Sequence, residues 1–312
     1  MDQQITQSQK NDRRSLRRWM NPRRRFGAAV LGAAAMIAML FAVPAQAAET
    51  AVPDSETIAQ RVAETKERLS ATEGGKLVWA AMEAHGGLQR WYENGPIRFR
   101  FRFAPQAEGR AATDTVQIVD TWSARAVHFL AEDSSKSFGW DGSEAWVRPA
   151  GAELPVNARF WSLTPYYFVA MPFVLGDPGV RHETEGSLEL EGRTYDLVRI
   201  TFDSGTGDAP DDYYVLLVDR EDHSVGGVRY VVSYPGFFPE GGHTPENLLV
   251  FDGAQTVDGI ILPHGSRGFP WQEQGPGDTV SVKNTLSEVS FHPGTPDAAF
   301  HRPSDSSVQE GL

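Results

Sequence analysis

From Ile97 to Phe103 the chain alternates without exception: Ile97, Phe99, Phe101 and Phe103 are apolar, and Arg98, Arg100 and Arg102 stand between them. A period of two belongs to a strand with one buried and one solvated face. A one-residue slip would bury three cations, so the register is fixed. Weaker alternation runs through residues 115–122, 126–130 and 137–147. Clearer alternation runs through residues 187–202, 213–219, 228–234, 248–251 and 280–291. Turn signals separate these runs: Trp140-Asp141-Gly142, Glu191-Gly192-Arg193, Gly226-Gly227, Asp252-Gly253 and Asp258-Gly259. Short strands joined by frequent tight turns predict an antiparallel meander, and no alternating strand–helix pattern points to a parallel sheet. The fold class is therefore mainly β.

Two stretches carry the helical period instead. In residues 75–91, Leu77, Val78, Ala81, Met82, Leu88 and Trp91 fall on one helical face, and His85-Gly86-Gly87 interrupts or caps that helix. Residues 48–74, polar and rich in Glu, Lys and Arg, predict a solvated lead-in helix or linker with little core of its own. The second stretch, residues 159–175, is dense in aromatics and Met. Pro165 after Thr164 is the arrangement expected at the first position of a helix, and Pro172 should kink or end it. A hydrophobic helix inserted midway through a sheet protein is expected to lie across the concave face of the sheet.

The chain resembles a family at several points: Ala84-His85-Gly86-Gly87-Leu88 with Trp91, Trp140-Asp141-Gly142 with Trp146, and Tyr166-Tyr167 to Pro172-Phe173 running into Asp177-Pro178-Gly179. Pro210-Asp211-Asp212-Tyr213, Val257-Asp258-Gly259-Ile260 to Pro263 and Phe300-His301-Arg302-Pro303 complete the set. Together they resemble exported bacterial proteins of the LolA/LolB-like superfamily across residues 75–303, with residues 304–312 left as a C-terminal tail. The resemblance implies a curved antiparallel sheet, a half-barrel with covering helices, whose cavity takes acyl chains or other apolar groups. The chain departs from the family in two ways. It has no cysteine to acylate, and the carrier's lid arginine aligns with no position here, so lipoprotein transport is not implied.

Residues 1–47 read as an export signal: a basic head of seven arginines, an uncharged apolar run in residues 26–43, and Ala45-Gln46-Ala47 as the small-x-small cleavage pattern. Arg23-Arg24-Arg25-Phe26 matches the core of a twin-arginine signal, so both the general and the twin-arginine routes stay open. An uncleaved anchor is the competing reading, and through it alone would the chain meet the membrane. The protein is expected in the periplasm, beginning near Ala48. The whole chain carries net charge −12, and the first 47 residues hold eight basic against two acidic residues, leaving about −18 on the mature part. Such a surface repels phosphate backbones, so no nucleic-acid partner is expected. With no cysteine, disulfides and thiolate catalysis are excluded.

No nucleophile elbow, zinc-helix motif, phosphate loop or dinucleotide fingerprint occurs, so no catalytic residue, metal or cofactor is expected. His85 suggests a helix-end imidazole or a cavity-facing polar group, and Asp141 suggests turn chemistry. Asp208, Asp211 and Asp212 read as a solvated acidic loop or a calcium-binding one. The candidate ligand-binding residues are Trp161, Tyr166, Tyr167, Phe168, Met171 and Phe173, since aromatics and Met make an adaptable apolar surface. The expected function is binding of an apolar small molecule or lipid by a periplasmic monomer, without chemistry of its own. An envelope interaction protein and a hydrolase assembled from distant residues are the alternatives.

Overall fold

The computed structural model describes residues 49–209, 211–273 and 275–309. The export signal read in residues 1–47 lies outside the described residues. Three helices lead the described chain. In α1 (Ser55–Ser70) the Asp54 carboxylate caps the start, accepting the Thr57 N–H at 2.9 Å. In α2 (Glu73–Ala84) the Thr72 hydroxyl accepts the Gly75 N–H at 3.0 Å, and α3 (Leu88–Glu93) follows directly. The reading of α1 as solvated needs correcting. Ile58, Val62, Thr65 and Leu69 fall on one stripe, and Ile58 and Leu69 are each 1 % exposed.

His85-Gly86-Gly87 does end α2, with Gly87 N–H reaching Met82 O at 2.9 Å. Gly86 has φ +112, and a Cβ there would lie 2.2 Å from the backbone oxygen of Gly259. Only glycine fits that joint.

Five strands then form a meander: β1 (Ile97–Pro105), β2 (Thr113–Val119), β3 (Ala126–Leu130), β4 (Ser137–Trp140) and β5 (Ala145–Arg148). After α4 (Ala158–Val169) and a 3-10 turn at Phe173–Gly176 come β6 (Val180–Leu190), β7 (Arg193–Phe202), β8 (Tyr214–Asp219), β9 (Val225–Tyr230) and β10 (Asn247–Asp252). The hairpin β11 (Gln255–Val257) and β12 (Ile260–Leu262) stands apart from the main sheet. The chain finishes with β13 (Gly265–Gln272), β14 (Gly275–Pro276), β15 (Val282–Phe291) and β16 (Ser307–Val308).

Apart from β11 and β12, all of these strands belong to one antiparallel sheet ordered β16-β5-β4-β3-β2-β1-β15-β13-β10-β9-β8-β7-β6, with β14 paired to β13. Its two wings meet where β15 lies beside β1, Phe101 opposite Leu286 and Arg102 opposite Thr285. The edges β16 and β6 do not pair, so the curved sheet stays open. Because β5 lies at one end of the sheet, flanked only by the short β16, and β6 forms the other edge, the segment between them must cross the face of the sheet. That segment contains α4. The tail also packs: β16 pairs with β5, and the Gln309 side-chain oxygen accepts the Ala158 N–H at 2.7 Å at the start of α4.

The alternation in β1 resolves as its chemistry requires. Ile97 and Phe99 are fully buried and Phe101 is 6 % exposed, whereas Arg102 is exposed and Arg100 pairs with Asp114 at 2.9 Å. Gly226-Gly227 is not a turn but lies inside β9. A Cβ on Gly226 would sit 2.2 Å from the Tyr195 ring, and one on Gly227 2.3 Å from Leu249 O. The pair exists because neighbours crowd it from both sides. The turn comes earlier, where the Asp219 carboxylate accepts the Glu221 N–H at 2.8 Å.

The main core fills the face crossed by α4. A second apolar cluster, Tyr195, Leu217, Leu248 and Val250, occupies the other face. The register of β6 against β7 shifts between Thr184 and Ser187, and beyond the shift Leu188 and Leu190 pack onto this cluster. Glu185 pairs with Arg199 and Arg229, and Glu191 pairs with Arg267, fastening the strand there. No described helix is long and apolar enough to cross a membrane.

Candidate functional site

The start of α4 is set by Asn157, whose side-chain oxygen accepts the Phe160 N–H at 3.0 Å. This cap overrides the expectation that Pro165 begins the helix: Pro165 lies inside it and is buried. Proline cannot donate to the carbonyl one turn back. Nearby, the Ser162 and Thr164 hydroxyls donate to the Ala158 and Phe160 carbonyls, which ties the turn together. The helix ends at Val169, and Pro172 opens the following 3-10 turn.

One face of α4 is core. Trp161 meets Phe103 edge-on at 5.6 Å, and Tyr166 stacks at 6.3 Å from Trp91, which itself lies 4.7 Å from Phe173. The other face borders a cavity of about 360 Å³. Phe160, Leu163, Thr164, Tyr167 and Phe168 line it at helical spacings of three and four. Opposite stand Val180 at the start of β6, Phe202 at the end of β7, Tyr214 on β8 and Val232. The rings nearly meet across the space: Tyr167 is 5.4 Å from Tyr214 and 6.4 Å from Phe202, and Phe168 is 6.2 Å from Tyr214.

Of the six residues expected from the sequence, the structure brings Tyr166, Tyr167 and Phe168 to the cavity. Trp161, Met171 and Phe173 are instead 7 %, 1 % and 1 % exposed within the core. Phe173 borders a separate recess of about 20 Å³, walled also by Trp91, Tyr92 and Arg61.

The charged residues of the lining are Arg159, Asp177, Asp208 and Asp212. Arg159 on α4 grips Asp208 at 2.8 Å through two nitrogens while lying 3.6 Å from the Trp140 ring centre. Asp177 pairs with Arg61 at 3.0 Å, and that guanidinium sits over the Tyr92 and Trp122 rings. Burial raises the Asp177 carboxyl above its ordinary range, with Arg61 opposing. Asp212 accepts the Ser233 N–H, and burial raises its carboxyl as well. The Tyr167 and Tyr214 phenols are pushed upward by burial and stay neutral.

The acidic loop is therefore not simply solvated, because Asp208 is tied to Arg159 and Asp212 is half-buried. Among the described residues no three His, Asp or Glu side chains gather as metal ligands. His85 does not address the carbonyls of its own helix. Its Nδ1 lies 2.8 Å from Ile261 O, and its Nε2 accepts the Val225 N–H at 3.0 Å, so the ring bridges two other segments. Burial lowers its pKa, consistent with this neutral form. His128 and His182 likewise bond backbone carbonyls, of Ser162 and Leu175. Asp141 closes its turn by accepting the Ser143 and Glu144 N–H groups at 2.8 Å.

An open, curved antiparallel sheet with an apolar cavity under a crossing helix defines a class of half-barrel proteins. The chain has the LolA/LolB-like fold, the one its motifs resemble. No protein-family model matches it, and no curated protein does. Among solved structures it is similar to a DUF1329 family protein from Desulfovibrio piger, at TM-score 0.50 and 11 % identity over 74 % of this chain and 98 % of that one. A LolA superfamily protein from Nitrosomonas europaea gives TM-score 0.48 and 10 % identity over 73 % and 97 %. At such identities the likeness is one of fold.

Proposed function

We propose that the protein is exported and holds an apolar or lipid-like molecule in the cavity between α4 and strands β6 to β8. The observation that carries this reading is the cavity itself. Its about 360 Å³ falls within the roughly 300–1,000 Å³ of small-molecule sites, and its aromatic walls with few polar groups have the composition of such sites. Export is supported by the basic head, apolar run and Ala45-Gln46-Ala47. Protein recovered from the periplasm should begin at or near Ala48, and recovery of an intact chain in the membrane would point to a retained anchor.

The binding test uses a neutral naphthylamine dye with the mature protein. Wild type should take up the dye with a fluorescence rise. Leu163→Trp, which fills the cavity, and Phe168→Lys, which charges its wall, should each weaken uptake by about tenfold or more while circular dichroism is kept. Absence of uptake by the folded wild type, or full uptake by both folded variants, sinks the reading. Mass spectrometry of organic extracts of the purified protein would then identify the natural occupant.

A further inference from the structure

Resting on that reading, we infer that the occupant is a single-chain amphiphile with a cationic head group, its charge set against Asp212. The lining has one charge too many. Arg159 and Asp208 neutralise each other at 2.8 Å, and Asp177 is matched by Arg61 at 3.0 Å. Asp212 has no cationic partner within 4 Å among the described side chains, and the groups that hydrogen-bond to it, the Ser233 N–H and the Tyr214 hydroxyl, are neutral. A carboxylate withdrawn from water without a counter-charge is costly, and a bound cation removes that cost. An anionic head group would instead share the cavity with three carboxylates, Asp177, Asp208 and Asp212.

The walls beside Asp212 suit a cation as well. Tyr214 follows it by two positions, and Tyr167, Phe202 and Tyr214 form an angular set of rings. Tyr214 and Phe202 are perpendicular at 5.8 Å, and Tyr167 and Tyr214 are tilted at 5.4 Å. Rings arranged this way present electron-rich faces of the sort that recognise ammonium groups. The Tyr167 and Tyr234 hydroxyls are buried in the cavity wall without a hydrogen-bond partner among the described residues. Buried polar groups are seldom left so, and a ligand's polar atoms would complete them. The volume, at the low end of the usual range, accommodates one chain in preference to two.

The test compares three ligands of one length, decyltrimethylammonium, decanol and decanoate, by calorimetric titration below their micelle concentrations. The mature full chain and its Asp212→Asn variant are the samples. Wild type should bind the ammonium about tenfold or more tightly than decanoate. Asp212→Asn should shrink that ratio to about threefold or less while leaving decanol affinity in place. Decanoate binding as tightly as the ammonium, or a ratio unchanged in the folded variant, overturns the charge assignment alone. If none of the three ligands binds the folded wild type, the cavity reading and this inference both fail.

Discussion

Trp91→Ala should lower the unfolding free energy by about 3–5 kcal/mol, the range for emptying a large aromatic site in a packed core. Trp91 is 1 % exposed. Its ring stacks on Phe173 at 4.7 Å with planes 11° apart, meets Phe291 edge-on at 5.7 Å, and faces Tyr166 at 6.3 Å. One side chain of α3 thus joins the end of β15, helix α4 and the 3-10 turn that follows it. Neighbours drawn from three segments cannot collapse together into the void, so the cost should lie high in the range. Urea titration of wild type, Trp91→Ala and Trp91→Phe checks this. The phenylalanine variant should recover most of the loss, and a loss below about 1 kcal/mol for the alanine variant would show that Trp91 does not join these segments.

Stability should also fall as the pH is lowered from about 6.5 towards 4, with His128 responsible for about 3 kcal/mol of it. His128 is fully buried, stacked 4.7 Å from Phe138, and its Nε2 lies 2.8 Å from Ser162 O. Its Nδ1 has no hydrogen-bond partner among the described residues. A second ring proton would therefore stand in the core with nothing to accept it, and burial lowers the folded pKa to about 4 from an ordinary 6.5. Between these values the unfolded chain binds the proton and the folded chain does not. Stability is thus full above pH 6.5 and drains away as the pH falls towards 4. His85 and His182, also lowered by burial, act in the same direction. His128→Gln, which keeps a donor near Ser162 O, should flatten the pH dependence seen in urea midpoints. Parallel wild-type and variant curves would refute the assignment.

What could be read in the sequence was whatever is local. The Phe–Arg alternation of β1, the Asp-Gly and Glu-Gly turns and the glycine stop after α2 follow from neighbouring residues, and they appear in the structure where the chain places them. The misreadings arose where a distant segment decides. Gly226-Gly227 has the composition of a turn, yet Tyr195 and Leu249, distant in the chain, require its lack of side chains. Pro165 resembles a helix start until Asn157 supplies a better cap. The aromatic segment announced one wall of the cavity but not which of its rings turn towards it. The opposite wall, with Phe202, Tyr214 and Asp212, comes from strands whose place across from α4 depends on sheet order. Periodicity tells which side of a strand is buried and says nothing of which element lies over it.

The seam between β1 and β15 carries a consequence for the order in which this molecule can be made. Ile97 pairs with Phe291 at the middle of the sheet, so the centre of the structure is the last large part to leave the ribosome. Until residues 282–291 emerge, the β1–β5 meander and the β6–β13 wing are two part-sheets, each with a raw inner edge. Pairing across so long a separation is slow, and an unpaired edge invites strands from other chains. The interval before β15 arrives is therefore the aggregation-prone period of biosynthesis. A chain truncated just short of it would lose the strand that joins two sticky halves into one sheet.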